Sequence, residues 1–182
     1  MKRMKKIRIL LAFLVLLSVL SAAGCGGAVP TEPPQLTVGC MAGDFQAMRV
    51  GFEWDVMKRG SEVGTGVIAD GVDPLTYDAF TPIPIREKES ILFVFPEGME
   101  PDGNMTGSFY PMKDGKPDRD NPLGVYIRPG RGEYGQYGEN VYGYYPQDNG
   151  YPTEGVYVLR AQWNRPRWRG RCTYAFAVTG LD

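Results

Sequence analysis

Alternation of apolar and polar residues predicts a protein built from β-strands. In the segment 50–56 every second residue is apolar, and Glu53 and Asp55 fall on the opposite face. The segment 155–163 alternates in the same way, and so does 172–178. These last two segments predict a C-terminal hairpin, because each presents one apolar face and only a short loop separates them.

Shorter apolar runs, bounded by glycine and proline, predict further strands. They cover 36–38, 62–69, 82–85, 91–95, 105–110 and 123–127. Many short strands separated by turn signals are typical of two antiparallel sheets packed together. The predicted fold class is therefore all-β, an immunoglobulin-like antiparallel β-sandwich that follows a signal peptide and a flexible tether.

Two aromatic residues favour the immunoglobulin-like form. The segment 154–159 resembles the tyrosine corner that opens a late strand of such domains, with Tyr157 as the tyrosine. Trp54, on an early strand, then becomes the core tryptophan. The alternative is a barrel or an irregular sandwich in which Tyr157 is only a core residue.

The N-terminal segment has the layout of a signal peptide. Its apolar run, 9–20, is shorter than the roughly 20 residues of a membrane-spanning helix. Residues 21–25, Ser-Ala-Ala-Gly-Cys, resemble the lipobox of bacterial lipoproteins. The resemblance implies cleavage before Cys25, a diacylglycerol thioether on its sulfur and palmitate-type acylation. The alternative is an ordinary secretory signal cut near Ala23. Five basic residues precede the apolar run: Lys2, Arg3, Lys5, Lys6 and Arg8.

These features divide the chain into three parts. Residues 1–24 form the signal peptide, 25–35 comprise the lipidated cysteine and a Pro-rich tether, and 36–182 form the sandwich domain. The prolines favour an extended tether. The expected location is the extracytoplasmic face of the cell membrane, with the membrane as a partner through the lipid anchor.

Removal of the signal peptide makes the chain acidic. Five of the 20 Lys and Arg residues precede Cys25 and all 21 acidic residues follow it, which leaves a net charge of −6. A chain of that charge is not a nucleic-acid-binding protein, so no nucleic-acid partner is expected.

Two further cysteines, Cys40 and Cys172, lie near opposite ends of the domain. In an oxidising compartment they predict a disulfide, with two buried free thiols as the alternative. The chain contains no histidine and no C-x-x-C pair, so neither a metal site nor a cofactor is expected.

The residues expected of an enzyme are sparse. Without histidine there is no His-based triad, and no G-x-S-x-G or phosphate-loop motif occurs. Glu53 and Asp55 share a strand face, which suits a carboxylate-dependent hydrolase but is better explained by a solvated face. A second acidic group lies in a polar loop, where a calcium site is less expected than a plain solvated turn. That group consists of the carboxylates of Asp114, Asp118 and Asp120 together with the amide of Asn121.

Glycine and tyrosine alternate irregularly over 130–150. Tyrosines on a glycine-rich loop offer large contact area at low entropic cost, so they form a candidate ligand surface. A cell-wall glycan or an envelope protein is the expected ligand. The alternative is a loop or pair of edge strands that packs its own tyrosines against the sandwich. The candidate residues are Tyr134, Tyr137, Tyr142, Tyr144 and Tyr145.

The strand segments together resemble small lipoproteins and extracytoplasmic domains of Firmicutes. The matching pieces are 48–54, 91–102 and 155–163 followed by 174–178, and Phe52 stands where that pattern usually has tyrosine. The resemblance implies a fold and transfers no catalytic residue. The expected function is a surface-tethered, non-catalytic binding or accessory domain of the cell envelope. The alternatives are a carboxylate-dependent cell-wall hydrolase and an accessory modulator of a membrane sensor.

Overall fold

The computed structural model describes residues 29–57, 64–71, 73–76, 80–86, 89–129, 140–144 and 152–181, and every helix or strand among them is a β-strand. The all-β class predicted from the sequence is confirmed. In chain order the strands are β1 (Thr37–Cys40), β2 (Gly43–Gln46), β3 (Met48–Met57), β4 (Gly64–Asp70), β5 (Ile83–Arg86), β6 (Ile91–Val94), β7 (Met105–Lys113), β8 (Lys116–Pro117), β9 (Leu123–Ile127), β10 (Val141–Tyr144), β11 (Gly155–Arg165) and β12 (Trp168–Leu181).

The strands form a small and a large sheet. The small sheet has the order β10-β6-β1-β2, and the large sheet has the order β4-β3-β12-β11-β7-β8, with β9 beside β7. Neighbouring strands are antiparallel except that β5 runs parallel to the end of β12. The C-terminal strand β12 is therefore an internal strand of the large sheet. It pairs with β11 along one edge, and with β3 and then β5 along the other.

The C-terminal hairpin is the longest pairing in the described structure. Its register runs from Gly155 opposite Val178 to Arg165 opposite Trp168, so the turn contains only residues 166 and 167. Alternate residues of β11 are buried from Tyr157 to Trp163, as the sequence pattern predicts.

Aromatic rings from both sheets meet in one core. The ring of Phe93 on β6 lies 5.9 Å from that of Phe176 on β12. The rings of Tyr144 on β10 and Tyr157 on β11 are 6.1 Å apart. The two sheets therefore pack face to face as a sandwich, with their apolar sides inward.

The strand order differs from that of immunoglobulin constant domains. There the last strand lies at the edge of a three-stranded sheet, whereas β12 lies inside the large sheet. Tyr157 is a fully buried core residue whose ring stacks 5.0 Å from that of Phe176. This order fits the alternative of an irregular sandwich, with Tyr157 in its core.

The two ends of the sandwich differ in composition. At one end Trp54 stacks on Trp168, with ring centroids 4.9 Å apart, and meets Trp163 edge-on at 5.4 Å. Gly170 is needed there, because a Cβ at that position would lie 2.6 Å from the Trp54 ring. We call this the tryptophan end. The opposite end, where β12 finishes beside β5, holds the buried side chain of Glu89, and we call it the Glu89 end.

Candidate functional site

Cys25 and residues 26–28 lie outside the described residues, whereas residues 29–35 of the expected tether are described. Residues 29–35, here called the N-terminal strap, lie on the domain: Val29 packs against the core, and Pro33 and Pro34 are buried. The prediction of a free tether over 25–35 is therefore wrong for 29–35. Proline carbonyls facing buried donors, and apolar rings facing the core, favour docking over solvation.

Hydrogen bonds hold the strap along its length. The Trp54 indole Nε1 donates to the Pro30 carbonyl at 2.9 Å, and the Arg49 guanidinium donates to the Pro33 carbonyl at 2.8 Å. The buried Tyr174 hydroxyl donates to the Pro34 carbonyl at 2.6 Å. Each donor belongs to the large sheet, so the strap covers the edge of the core between the two sheets.

Cys40 and Cys172 are free thiols, so the predicted disulfide is wrong. Cys40 Sγ lies 3.7 Å from the Pro84 carbonyl oxygen, and Pro84 is paired with Thr179 on β12. Thr179 is seven residues along β12 from Cys172, which corresponds to about 23 Å at ~3.3 Å per residue. A disulfide requires Cα atoms within about 7 Å.

Burial suppresses the reactivity of both thiols. It raises the pKa of Cys172 to about 12, because the thiolate would lose hydration in the core. Burial also raises the pKa of Cys40, and the nearby Glu89 carboxylate acts in the same direction. The nearby Arg49 guanidinium acts to lower the pKa of Cys172, but the effect of burial is larger.

Two of the five candidate ligand-surface tyrosines belong to the core. Tyr142 is 1% exposed and Tyr144 is 6% exposed, both on β10. The Tyr142 hydroxyl donates to the Pro101 carbonyl, and burial raises its pKa to about 12. A surface role is therefore wrong for Tyr142 and Tyr144, because their rings face the sandwich interior. The other three candidates, Tyr134, Tyr137 and Tyr145, lie outside the described residues.

The solvent-facing side of the large sheet carries a groove of about 520 Å³. Its floor includes Gly51 on β3 and Thr173 on β12, which are opposite each other in the sheet register. Arg160, Arg171 and Ile68 stand around it, and the Ile68 side chain is 73% exposed. The groove exists because two neighbouring strands place a glycine and a small residue where long side chains surround them.

Ion pairs border this groove. Glu53 pairs with Arg171 at 2.6 Å and Asp55 pairs with Arg169 at 3.3 Å, each across β3 and β12. The hydrogen bond that Arg171 donates to Glu53 also raises the pKa of Arg171. Glu53 and Asp55 thus share the solvent-facing side of the sheet, as the sequence predicts. Arg160 makes no ion pair with any described residue, which leaves its guanidinium available to an anionic group.

A second groove, of about 500 Å³, lies at the acidic loop considered for calcium. Asp114 and Gly115 both have positive φ and form a tight two-residue turn between β7 and β8. The Asp118 carboxylate accepts hydrogen bonds from the Asp120 amide and the Asn121 side chain, and the latter contact chiefly lowers its pKa. The described residues contain no group of three or more His, Cys, Asp or Glu side chains that could hold a metal ion.

Glu89 is a structural site that sequence reasoning missed. It is 7% exposed, and it accepts hydrogen bonds from the Arg86 amide at 2.8 Å and from the Met41 amide. It therefore joins the end of β5 to the turn between β1 and β2. Only the position of Glu89 just before the apolar run 91–95 hints at burial, and many exposed glutamates precede strands in the same way.

Comparison with protein-family models, curated proteins and solved structures found no match. Within the described ranges no helix is long and apolar enough to cross a membrane.

Proposed function

We propose that the chain is an extracytoplasmic lipoprotein, held on the cell membrane through Cys25, whose sandwich is a non-catalytic binding domain. The lipobox-like residues 21–25 support the anchor. The groove on the solvent-facing side of the large sheet is the observation that carries the binding role, since it is a concave surface on a rigid sheet.

The contacts made by the carboxylates support a binding domain rather than a hydrolase. A carboxylate-dependent hydrolase needs an acid and a nucleophile or base facing the same substrate. Glu53 and Asp55 instead each form an ion pair with an arginine, and Glu89 binds two backbone amides. These three carboxylates are thus occupied by structural contacts.

The chemistry of the groove indicates its ligand. The Arg160 guanidinium suits a carboxylate, and Ile68, also in the groove lining, offers an apolar contact. An extended chain that carries carboxylates, such as the peptide-bearing glycan of a cell wall, fits this combination.

The anchor is tested with Cys25→Ala. We expect the variant to lose labelling by a palmitate analogue and to leave the membrane fraction, because the sulfur that carries the lipid is gone. Unchanged labelling and unchanged membrane association would refute the anchor.

The groove is tested by retention on purified cell-wall glycan. Gly51→Leu fills the floor without displacing the backbone, because a Cβ there meets its nearest atom at 3.6 Å. We expect Gly51→Leu and Arg160→Ala to lose retention. Arg119→Ala removes an equal charge from a side chain that does not line the groove, and is the matched control. Equal retention of all three variants and the wild type would contradict the proposal.

The remaining tyrosine candidates are tested in the same assay. A protein with Tyr134, Tyr137 and Tyr145 changed to alanine is expected to keep its retention if the groove is the binding site. Loss in this variant alone would move the site to the tyrosine-rich segment.

A further inference from the structure

The strap fixes the place where the chain toward Cys25 leaves the domain. Pro30 is held by Trp54, which is opposite Gly170 in the sheet, whereas Pro34 is held by Tyr174, farther along β12. The strap therefore runs away from the tryptophan end as the residue number rises. Residues that precede Val29 consequently start from the tryptophan end.

Little chain separates the strap from the cysteine. Only residues 26–28 lie between Cys25 and Val29. A fully extended chain spans at most about 3.3–3.6 Å per residue, so the two Cα atoms are within about 14 Å of each other. Most of the expected tether is thus docked on the domain and adds no distance from the membrane.

We infer that the tryptophan end is the face of the domain that lies against the lipid headgroups. The inference rests on the proposed lipidation of Cys25, which places the start of residues 26–28 at the bilayer surface. A connection of that length keeps the nearest end of the sandwich at the headgroups and leaves the Glu89 end farthest from them.

The polar groups of this end suit a headgroup layer. Arg165 pairs with Asp102 at 3.2 Å, and Arg169 pairs with Asp55. Arg167, in the exposed turn between β11 and β12, makes no ion pair with a described residue, and its carbonyl accepts the Met57 amide. Its guanidinium is therefore available to a lipid phosphate.

This orientation also places the groove. Thr173 is five residues along β12 from Trp168, about 17 Å at ~3.3 Å per residue. The groove then opens sideways, parallel to the bilayer and close to it. Its ligand is accordingly expected next to the membrane rather than in distant layers of the envelope.

Tryptophan fluorescence provides a direct test. The three tryptophans of the chain, Trp54, Trp163 and Trp168, all lie at this end. The full-length lipidated protein is reconstituted into phosphatidylcholine vesicles, with or without lipid that carries a nitroxide on its headgroup. We expect the nitroxide lipid to quench tryptophan emission, because the end that contains the indoles lies at the headgroups.

A spacer variant is the matched control. About 20 Gly and Ser residues inserted between Ala28 and Val29 span about 25 Å on average and leave the described domain unchanged. We expect this variant to float with the vesicles as the wild type does, but with much less quenching.

The outcomes separate the two proposals. Flotation without quenching overturns the orientation and leaves the lipid anchor intact. If the spacer variant is quenched as strongly as the wild type, the short connection is not the cause of the quenching and the inference from it is overturned. Failure of the wild type to float overturns the anchor, and the orientation with it.

Discussion

At the tryptophan end three indole rings close the sandwich, whereas at the Glu89 end one buried carboxylate joins two turns. The first end is stabilised by contact area between large rings, which depends little on exact angles. The second depends on hydrogen bonds from the Arg86 and Met41 amides to a single side chain. The same fold thus uses apolar packing at one end and a polar clamp at the other.

The comparison shows why the ends differ in their tolerance of change. Removal of a ring leaves a cavity whose cost grows with its volume. Removal of the carboxylate leaves backbone donors without a partner, a cost that depends on how far water can enter. Met41 is 72% exposed, so water can reach part of that clamp. The tryptophan end is therefore expected to be the more sensitive of the two.

The largest effect is expected for Trp54→Ala. Trp54 is 1% exposed and touches both other tryptophans, so the variant should lose about 3–5 kcal/mol of unfolding free energy. Urea denaturation of both proteins measures this difference. Trp54→Phe retains a ring but loses the hydrogen bond to Pro30, so its unfolding free energy should lie between those of the wild type and Trp54→Ala. A loss below about 1 kcal/mol for Trp54→Ala would contradict the packing argument.

Alkylation probes the state of the two cysteines of the domain, Cys40 and Cys172. Since burial raises the pKa of Cys172 to about 12, its alkylation at pH 8 should be about a thousandfold slower than that of an exposed cysteine. In a Cys25→Ala protein, denaturation without reductant should then give two alkylated cysteines by mass spectrometry. No adducts under those conditions would indicate that Cys40 and Cys172 are oxidised.

At the Glu89 end, Glu89→Ala should cost about 1.5–3 kcal/mol, since two backbone donors lose a charged acceptor. The exposed Glu97 is the matched control, and Glu97→Ala should change stability by no more than about 0.5 kcal/mol. Equal effects of the two substitutions in urea denaturation would argue against the clamp.

The smallest change tests the strap, which begins at the tryptophan end. Tyr174→Phe removes only the hydroxyl that donates to Pro34, and should cost about 1–2 kcal/mol because the buried carbonyl loses its donor. Thermal unfolding checks this value. A control protein that begins at Leu36 lacks the strap, and the same substitution should have little effect there. An equal loss in both proteins would show that the hydroxyl acts elsewhere.

Sequence reasoning predicted the strands that have one apolar and one polar face. β3 alternates, and so does β11 from Tyr157 to Trp163, because one side of the sheet faces solvent there, whereas β12 is buried on both faces from Tyr174 to Val178. The sequence does not distinguish β10 from the rest of the tyrosine-rich segment, because the glycines around Tyr142 and Tyr144 suggest a loop although both tyrosines are buried. β8 follows an Asp-Gly turn, which is a hairpin signal, whereas the polar composition around it predicts a loop.

The site was harder to predict than the fold. Gly51 and Thr173 lie 122 positions apart and meet only through the pairing of β3 with β12, so no local pattern reveals the groove. The strap resembles a proline-rich linker in composition, and its docking depends on donors from Trp54 and Tyr174. The predicted disulfide is wrong for a related reason, because separation along the chain gives no information on the distance in space between Cys40 and Cys172.

The strap also sets an order of events during synthesis. Its hydrogen bond to Tyr174 joins residues 140 positions apart, so this contact cannot form before the last strand has been made. Contacts of such long range form late in folding, because the entropy of closing the loop must first be overcome. On the proposed lipoprotein assignment, an enzyme that acts at residues 21–25 before the last strand is made meets a chain whose strap has not yet docked. The strap thus closes the N-terminal part of the domain onto the fold only once the C-terminal strand is in place.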